Sequence, residues 1–409
     1  MTQLDLLNKK ILVIGSGPEQ IELIKQAKSM GAYVISTDKK TIPNIKKIVD
    51  KFYKLSASNF KKILKICIKN KVDGVISVCS EKATKTVSKL ASKIKKPAIP
   101  IKIMKLTTNK IKMKNFFISS NIKTPRFYKI NNFKDLMNKK DSFNNTFIIK
   151  PDESFGQKGV FKISKNSNNA EIKKKFFECK KFSINKKSIL IEEFIDGQEI
   201  NVVALVSNFK VKFLSISDRL TYKKGQKGFG IAYKHSFPSK VSNKIQLKIK
   251  QKCKKLIKFL GIDSGVIYPQ VIIKNKEIFF IEVASRVPGG KMRELSMIAS
   301  GYDPLKFEIF RCLNYKKLFL KSKLKNFNTK KNIQIKFFTE LDLKNKKIIK
   351  KNLKKISNTN YIYDFNFPIN KKVPILKNSS SRFGYLIVVG KSFKDVEIRL
   401  KNSINKFIK

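Results

Sequence analysis

Gln270 and Glu282 sit twelve residues apart in the stretch YPQVIIKNKEIFFIEVASR, one on each side of the polar turn KNKE. The flanking runs are rich in β-branched and aromatic residues and read as a hairpin. A three-residue loop over 275–277 pairs Lys274 with Ile278 and, counting outward, Gln270 with Glu282. Directly opposed residues share a face, with Cβ atoms ~4.5–5.5 Å apart. An amide oxygen and a carboxylate converging on one point is what a hard, oxygen-seeking cation requires. Mg²⁺ suits so sparse a pair, because it fills the rest of its shell with water and phosphate oxygens. The alternative is a surface hairpin with incidental polar residues; a glutamate embedded in FFIEVA is not an ordinary surface choice.

In FIIKPDESFGQKGVFKIS a strand delivers Lys150, and a loop with Ser154, Gly156 and Gly159 follows. Backbone N–H groups of such a loop can cradle phosphates beside a lysine point charge. A plain hairpin turn accounts for the same residues. It is not a Walker loop, because no helix and no GK[ST] follow. In ILIEEFIDGQEI an apolar strand ends in two acids and a turn at Gly197. Acids there could accept from ribose hydroxyls, while the strand's backbone could pair with an adenine edge.

In this order and spacing the three segments resemble the ATP-grasp superfamily, which includes carbamoyl-phosphate synthetase, biotin carboxylase, purine-pathway ligases and L-amino-acid ligases. The family's lysine-led helix before GIPxP is matched by Lys110 heading KIKMKNFFISSNIKTP, with Asn121 in place of the glycine. Its strand lysine and flap are matched by Lys150 and the loop from Ser154 to Val160, and its acidic hinge by EEFIDGQE. The resemblance implies an ATP site formed by Lys110, Lys150, Ser154, Gly156, Gly159, Val160, Glu192, Glu193, Phe194, Ile195 and Glu199. It implies Mg²⁺, or Mn²⁺, on Gln270 and Glu282, with Arg286 on the transferring phosphoryl group. Ala284 stands where the family usually has Asn, which removes an expected ligand; either the metal is held less tightly or water fills the gap. Arg293, in GGKMREL at a helix start, would bind a substrate carboxylate bidentately; a helix-surface charge is the plainer reading.

The implied function is an ATP-dependent ligase that joins a carboxylate to an amine through an acyl phosphate, releasing ADP and phosphate. Within the family, the alternative is carbamoyl-phosphate-synthetase-like or carboxylase-like phosphorylation of a small acid or bicarbonate. Outside it stand a nicotinamide-dependent oxidoreductase and a basic protein with an idle ATP fold. The expected partners are small-molecule carboxylates and amines; family members are often homodimers.

The elements that must position these residues follow from periodicity. Residues 1–100 alternate apolar strands with amphipathic helices, the pattern of a parallel sheet with right-handed crossovers. From about 145 the pattern changes to short strands with tight turns, the mark of antiparallel sheet. The expected fold class is therefore α/β and α+β. Residues 1–108 form a Rossmann-like domain, 109–325 a two-lobed ATP-grasp domain, and 326–409 a small C-terminal α+β module resembling that of amino-acid ligases. The first loop, GSGPEQ, has Gly15 and Gly17, but Gln20 replaces the third glycine of G-x-G-x-x-G, and Asp38 stands near the distance of a ribose-binding acid. The better reading is that the glycines let the first helix start close to the sheet edge. That edge would wall the ligase cleft and offer helix-start N–H groups to an anionic substrate.

Composition bounds the rest. The net charge of +61 points at first to polyanions, yet the lysines are spread through every region. Arginine occurs only as Arg126, Arg219, Arg286, Arg293, Arg311, Arg382 and Arg399. A dedicated nucleic-acid binder would use arginine forks, so no specific nucleic-acid partner is expected. No apolar run approaches the ~18 residues of a membrane span, and MTQLDLLNKK lacks a signal pattern, so a cytoplasmic location without a membrane partner is expected. The five cysteines form no CxxC pair and read as apolar filler. His235, the one histidine, reads as an ordinary residue of a polar loop, AYKHSFPS.

Overall fold

The structure is a computed structural model that describes residues 6–42, 44–183, 188–222, 228–315, 317–324, 329, 331–357, 359–368 and 370–408. The first residues of MTQLDLLNKK, and the boundary expected at 325/326, lie outside the described residues.

The N-terminal alternation gives β1 (Lys10–Ile14), β2 (Tyr33–Asp38), β3 (Lys51–Lys54) and β4 (Gly74–Ile76), a four-stranded parallel sheet in the order β3-β2-β1-β4. The strand β1 is buried on both faces from Ile11 to Ile14, which explains its unbroken apolar run. The helix Pro18–Ser29 starts with Pro in its first turn and buries Leu23, Ile24 and Ala27. A long connector follows as two helices, Ile101–Thr108 and Lys110–Ser119. Asn109 ends the first and caps the second, accepting from Lys112 N–H at 3.0 Å.

A second four-stranded sheet, entirely antiparallel, contains β5 (Phe127–Ile130), β6 (Thr146–Pro151), β7 (Phe161–Ser164) and β8 (Ile189–Glu193), in the order β5-β8-β6-β7. It buries its own core of Phe143, Phe147, Phe176 and neighbours.

The remaining strands form one eight-stranded sheet. They are β9 (Gln198–Ser207), β10 (Lys210–Thr221), β11 (Ala232–Phe237), β12 (Ser264–Lys274), β13 (Glu277–Ala284), β14 (Asn332–Phe338), β15 (Ile362–Asn366) and β16 (Gly384–Gly390). Their order is β13-β12-β9-β10-β11-β14-β16-β15. The C-terminal strands thus extend the same sheet, because β14 pairs with β11 and β16 with β14. One face packs on the helix Asn243–Leu260 and the connector helices, through Val202, Val271, Phe280 and Leu256. The other carries Val203, Leu205 and Val266 against the helices Met292–Ser300 and Pro304–Cys312, and that core runs on into the N-terminal domain. Gly261, at φ +68°, closes the helix Asn243–Leu260 as its left-handed cap.

His235 departs from the expected loop. It lies within β11 at 3% exposure. Ala232–Phe237 of AYKHSFPS form a strand in the middle of a sheet, and His235 faces a cavity rather than solvent.

Candidate active site

The two outer sheets and the N-terminal domain enclose a cavity of about 1170 Å³. It is lined by every candidate residue from the sequence except Gly159. A Cβ at Gly159 would lie 2.8 Å from the Phe182 ring, so this glycine serves close packing at the root of the flap.

The floor is a row across the large sheet. Glu282 on β13 opposes Gln270 on β12, Gln270 opposes Asn201 on β9, and Asn201 opposes Ser217 on β10. The expected pairing of Gln270 with Glu282 occurs, but by a different route. The turn has two residues, Asn275 and Lys276, both at positive φ, and pairs Lys274 with Glu277. That register alone would set Gln270 opposite Ile281. A bulge between Gln270 and Val271 in the ladder shifts it by one and brings Glu282 into place.

Gln270 Nε2 donates to Asn201 Oδ1 at 3.0 Å and to the Tyr268 hydroxyl at 2.7 Å. Among the described residues its Oε1, and the whole Glu282 carboxylate, make no hydrogen bond or ion pair. Two uncommitted oxygen donors on one face fit a hard divalent cation that takes its other ligands from water and phosphate. No group of three or more His, Cys, Asp or Glu that could hold a metal ion converges among the described residues.

The opposite wall is strongly basic. Lys150, at the end of β6, pairs with Glu192 on β8. Lys114, fully buried on the helix Lys110–Ser119, lies 2.9 Å from the other Glu192 oxygen and donates to Thr124 Oγ1 at 2.7 Å. Burial works against the Glu192 charge, but Lys114 and Lys150 together hold its carboxyl below the usual range. Burial pulls Lys114 down to about 8 against the attraction of Glu192. Lys110 Nζ donates to the Ser154 carbonyl at 2.8 Å, tying the helix start to the flap. The flap residues Gly156 and Gln157 take positive φ, and the Gly156 carbonyl accepts from Ser379 N–H at 2.9 Å. At the hinge, a Cβ on Gly197 would meet the Ile273 carbonyl oxygen at 2.3 Å, so only glycine fits against β12. Phe194 beside it stacks under Lys162. Glu193 presents a carboxylate to the cavity, whereas Glu199 is held by Arg219 and by Thr221 Oγ1 at 2.7 Å.

At the far end Arg286 reaches the N-terminal domain, its Nη2 3.5 Å from Glu81 Oε1, while its buried Nε has no hydrogen-bond partner among the described residues. Arg293 lines the cavity, but its guanidinium is engaged bidentately by the buried Asp303, at 2.9 and 2.7 Å. A substrate carboxylate would have to displace that internal one. Arg382 enters from the C-terminal segment, donates from Nε to the Ala232 carbonyl at 3.0 Å and lies 3.9 Å over the Phe337 ring. Among the described residues it has no carboxylate partner, and burial and the nearby Arg219 lower it to about 9.

The glycine loop of the N-terminal domain is filled by its own chain. Gln20 folds back so that a Cβ on Gly17 would lie 2.9 Å from its Oε1. Asp38 accepts from Ser16 N–H at 2.7 Å and from Lys40 N–H at 3.1 Å, so the acid closes the loop instead of awaiting a ribose. The helix start beyond does line the cavity, but with Glu19 and Glu22, an acidic face rather than the anion cradle expected. Burial and the neighbouring Glu294 raise Glu19.

Sequence reasoning missed Asn201, Tyr268, Lys114, Glu81, Arg219 and Arg382. For Asn201 a signal existed: an asparagine in the apolar strand EINVVALV is as unusual as the glutamate in FFIEVA. Lys114 carried none, being one lysine among many.

Residues 108–289 match the family described as phosphoribosylglycinamide synthetase, ATP-grasp (A) domain. The formate-dependent phosphoribosylglycinamide formyltransferase of Prochlorococcus marinus is 24% identical over 287 residues, 69% of this chain and 71% of that one. Among solved structures, an L-amino acid ligase from Bacillus licheniformis superposes with a TM-score of 0.81 at 17% identity, covering 98% of both chains. A phosphoribosylglycinamide synthetase from Anaerococcus prevotii superposes with a TM-score of 0.74 at 23% identity, also covering 98% of both. Over residues 108–289 the chain is thus similar to an ATP-grasp domain, and its fold is that of the solved ligases above.

Proposed function

We propose that this chain is an ATP-dependent carboxylate–amine ligase working through an acyl phosphate. The observation that carries the reading is the pairing of two uncommitted oxygen donors, on Gln270 and Glu282, across a cavity from the Lys114–Glu192–Lys150 cluster. A carboxylate attacking the γ-phosphate of ATP brings two anions together, and the site must offset that repulsion. Lys150 and Lys110 stand where the flap would lie over the phosphates, and Glu193 faces the cavity at the hinge where a ribose would sit. Gln270 and Glu282 would hold the divalent cation, which supplies charge neutralisation on the phosphate oxygens when bound.

The carboxylate oxygen bonds to the γ-phosphorus as the bond to the β-bridging oxygen breaks, and ADP leaves. Arg286, which lines the cavity, offers its guanidinium to the transferring group. An amine then attacks the acyl carbon and phosphate departs. The acyl phosphate hydrolyses in water, so a flap that closes by its contact with Ser379 has a purpose. The L-amino acid ligase superposed above carries a name consistent with this chemistry. ADP release with Mg²⁺, screened over pairs of small carboxylates and amines, tests it. Release that requires both substrates supports the reading; NAD binding without MgATP binding overturns it.

A further inference from the structure

A glutamine can present either end of its amide to a cation, and only the oxygen end binds. Nothing in the Gln270 side chain itself chooses between them. The choice is made by a chain of directional hydrogen bonds running two strands deeper. His235 Nδ1 and Asn201 Nδ2 lie 3.2 Å apart, so the Asn201 amide nitrogen donates when Nδ1 is unprotonated. Burial, then the charges of Arg382 and Arg219, hold the imidazole well below its ordinary value, and the neutral tautomer with its proton on Nε2 leaves Nδ1 to accept from Asn201. With its nitrogen so committed, Asn201 turns Oδ1 toward β12, where it accepts from Tyr268 OH at 2.7 Å and from Gln270 Nε2 at 3.0 Å. The second Gln270 amide hydrogen goes to the Tyr268 hydroxyl at 2.7 Å. Both Gln270 donors are used, and Oε1 is left facing the side of Glu282. A flipped Gln270 would set its oxygen against the Asn201 oxygen.

We infer that Asn201, itself oriented by His235, is the positioning residue that holds the Gln270 amide oxygen toward the metal position. The inference rests on the metal assignment made above and names what enforces it. It matters more here because Ala284, opposite Tyr268 on the same ladder, contributes no side-chain oxygen. Residues that orient a metal ligand typically change affinity by about 10–100-fold when removed.

The test is a cycle with Gln270→Glu. A carboxylate offers oxygen at both ends and needs no orienting. Mn²⁺ affinity, read by EPR titration in the presence of ADP, is measured for four chains: unchanged, Asn201→Ala, Gln270→Glu and the double variant. ADP binding without metal reports the fold. Asn201→Ala should weaken Mn²⁺ about tenfold in the chain with Gln270 and less than about twofold with Gln270→Glu. Equal losses in both backgrounds would mean that Asn201 only supports the fold, and would overturn the inference. Should Asn201→Ala lose metal-free ADP binding, His235→Leu replaces it, with the same pattern expected at smaller size. Failure of the unchanged chain to bind Mn²⁺ with ADP would remove the metal assignment and the inference together, which is a different outcome from equal losses.

Discussion

Gln270 and Glu282 stand directly opposite each other because a two-residue turn and a bulge act in opposite senses on one hairpin. The tight turn at Asn275 and Lys276 advances the register by one residue relative to a three-residue loop, and the bulge takes that residue back. One without the other would set Glu282 on the far face, against the apolar layer of Val271 and Phe280.

The consequence for catalysis is direct. Glu282→Ala removes a carboxylate that makes no hydrogen bond or ion pair among the described residues, so it should cost little stability and cut ADP formation by about 10²–10³-fold, as for a group stabilising transition-state charge. Circular dichroism and ADP release on the same preparation check both halves. Persisting turnover would show the cation sits elsewhere.

The Lys114–Glu192–Lys150 cluster sets a second expectation. Replacing Glu192 with Gln leaves two buried ammonium groups without their counter-charge, and breaking a buried pair in this way typically costs ~3–5 kcal/mol. The pH dependence follows from the directions of the shifts. Glu192 is held below 4.5, so its contribution is fully present above 4.5 and is lost as pH falls through its lower folded value. Lys114 is drawn from 10.5 to about 8, so it opposes folding fully below about 8 and that cost fades as pH rises from 8 toward 10.5. Chemical denaturation of the unchanged chain should therefore show stability falling on the acid side of 4.5. Glu192→Gln should be weaker at neutral pH and flatter below 4.5.

How much of this was legible in the sequence depends on the kind of signal. The parallel sheet was readable from the alternation of apolar strands and helices, and the positions of Lys150, Gln270 and Glu282 because each sets an atypical residue against a regular apolar pattern. Lys110 was placed correctly at a helix start, since Asn109 supplies a visible cap. The loop reading of His235 failed because a strand facing a polar cavity has the composition of a loop. Arg293 was visible as a charge, but its partner Asp303 caps the following helix, a tertiary contact that periodicity alone does not resolve. The C-terminal segment reads as a separate module by its helix and strand, yet β14 continues the large sheet. Long-range strand order leaves little trace in local pattern.

The hinge glycine makes a steric prediction. Gly197→Ala drives a methyl group to 2.3 Å from the Ile273 carbonyl oxygen, a backbone atom that cannot rotate away. The strands must separate, at ~1–3 kcal/mol by analogy with overpacked cores. The strain falls between Glu193 and Glu199, so nucleotide affinity should drop along with the melting temperature. Unchanged ADP binding with a lowered melting temperature would detach the hinge from the nucleotide.

For Arg382 the expected effects on stability and on function have opposite signs. Its guanidinium is buried beside Arg219 with no carboxylate among the described residues, so it is pulled down to about 9 and opposes folding at neutral pH. A cation in that state gains from any anion that enters the cavity. Arg382→Gln should therefore stabilise the ligand-free chain by roughly 1–4 kcal/mol of relieved desolvation and raise its melting temperature. It should also raise the KM for the acid substrate about tenfold or more, because a charge-assisted contact is lost. Metal-free ADP binding should stay constant, which separates an anion-binding role from damage to the nucleotide site. Calorimetry and steady-state kinetics on the same variant decide it: a lowered melting temperature with unchanged KM would mean that Arg382 serves only to pack against Phe337.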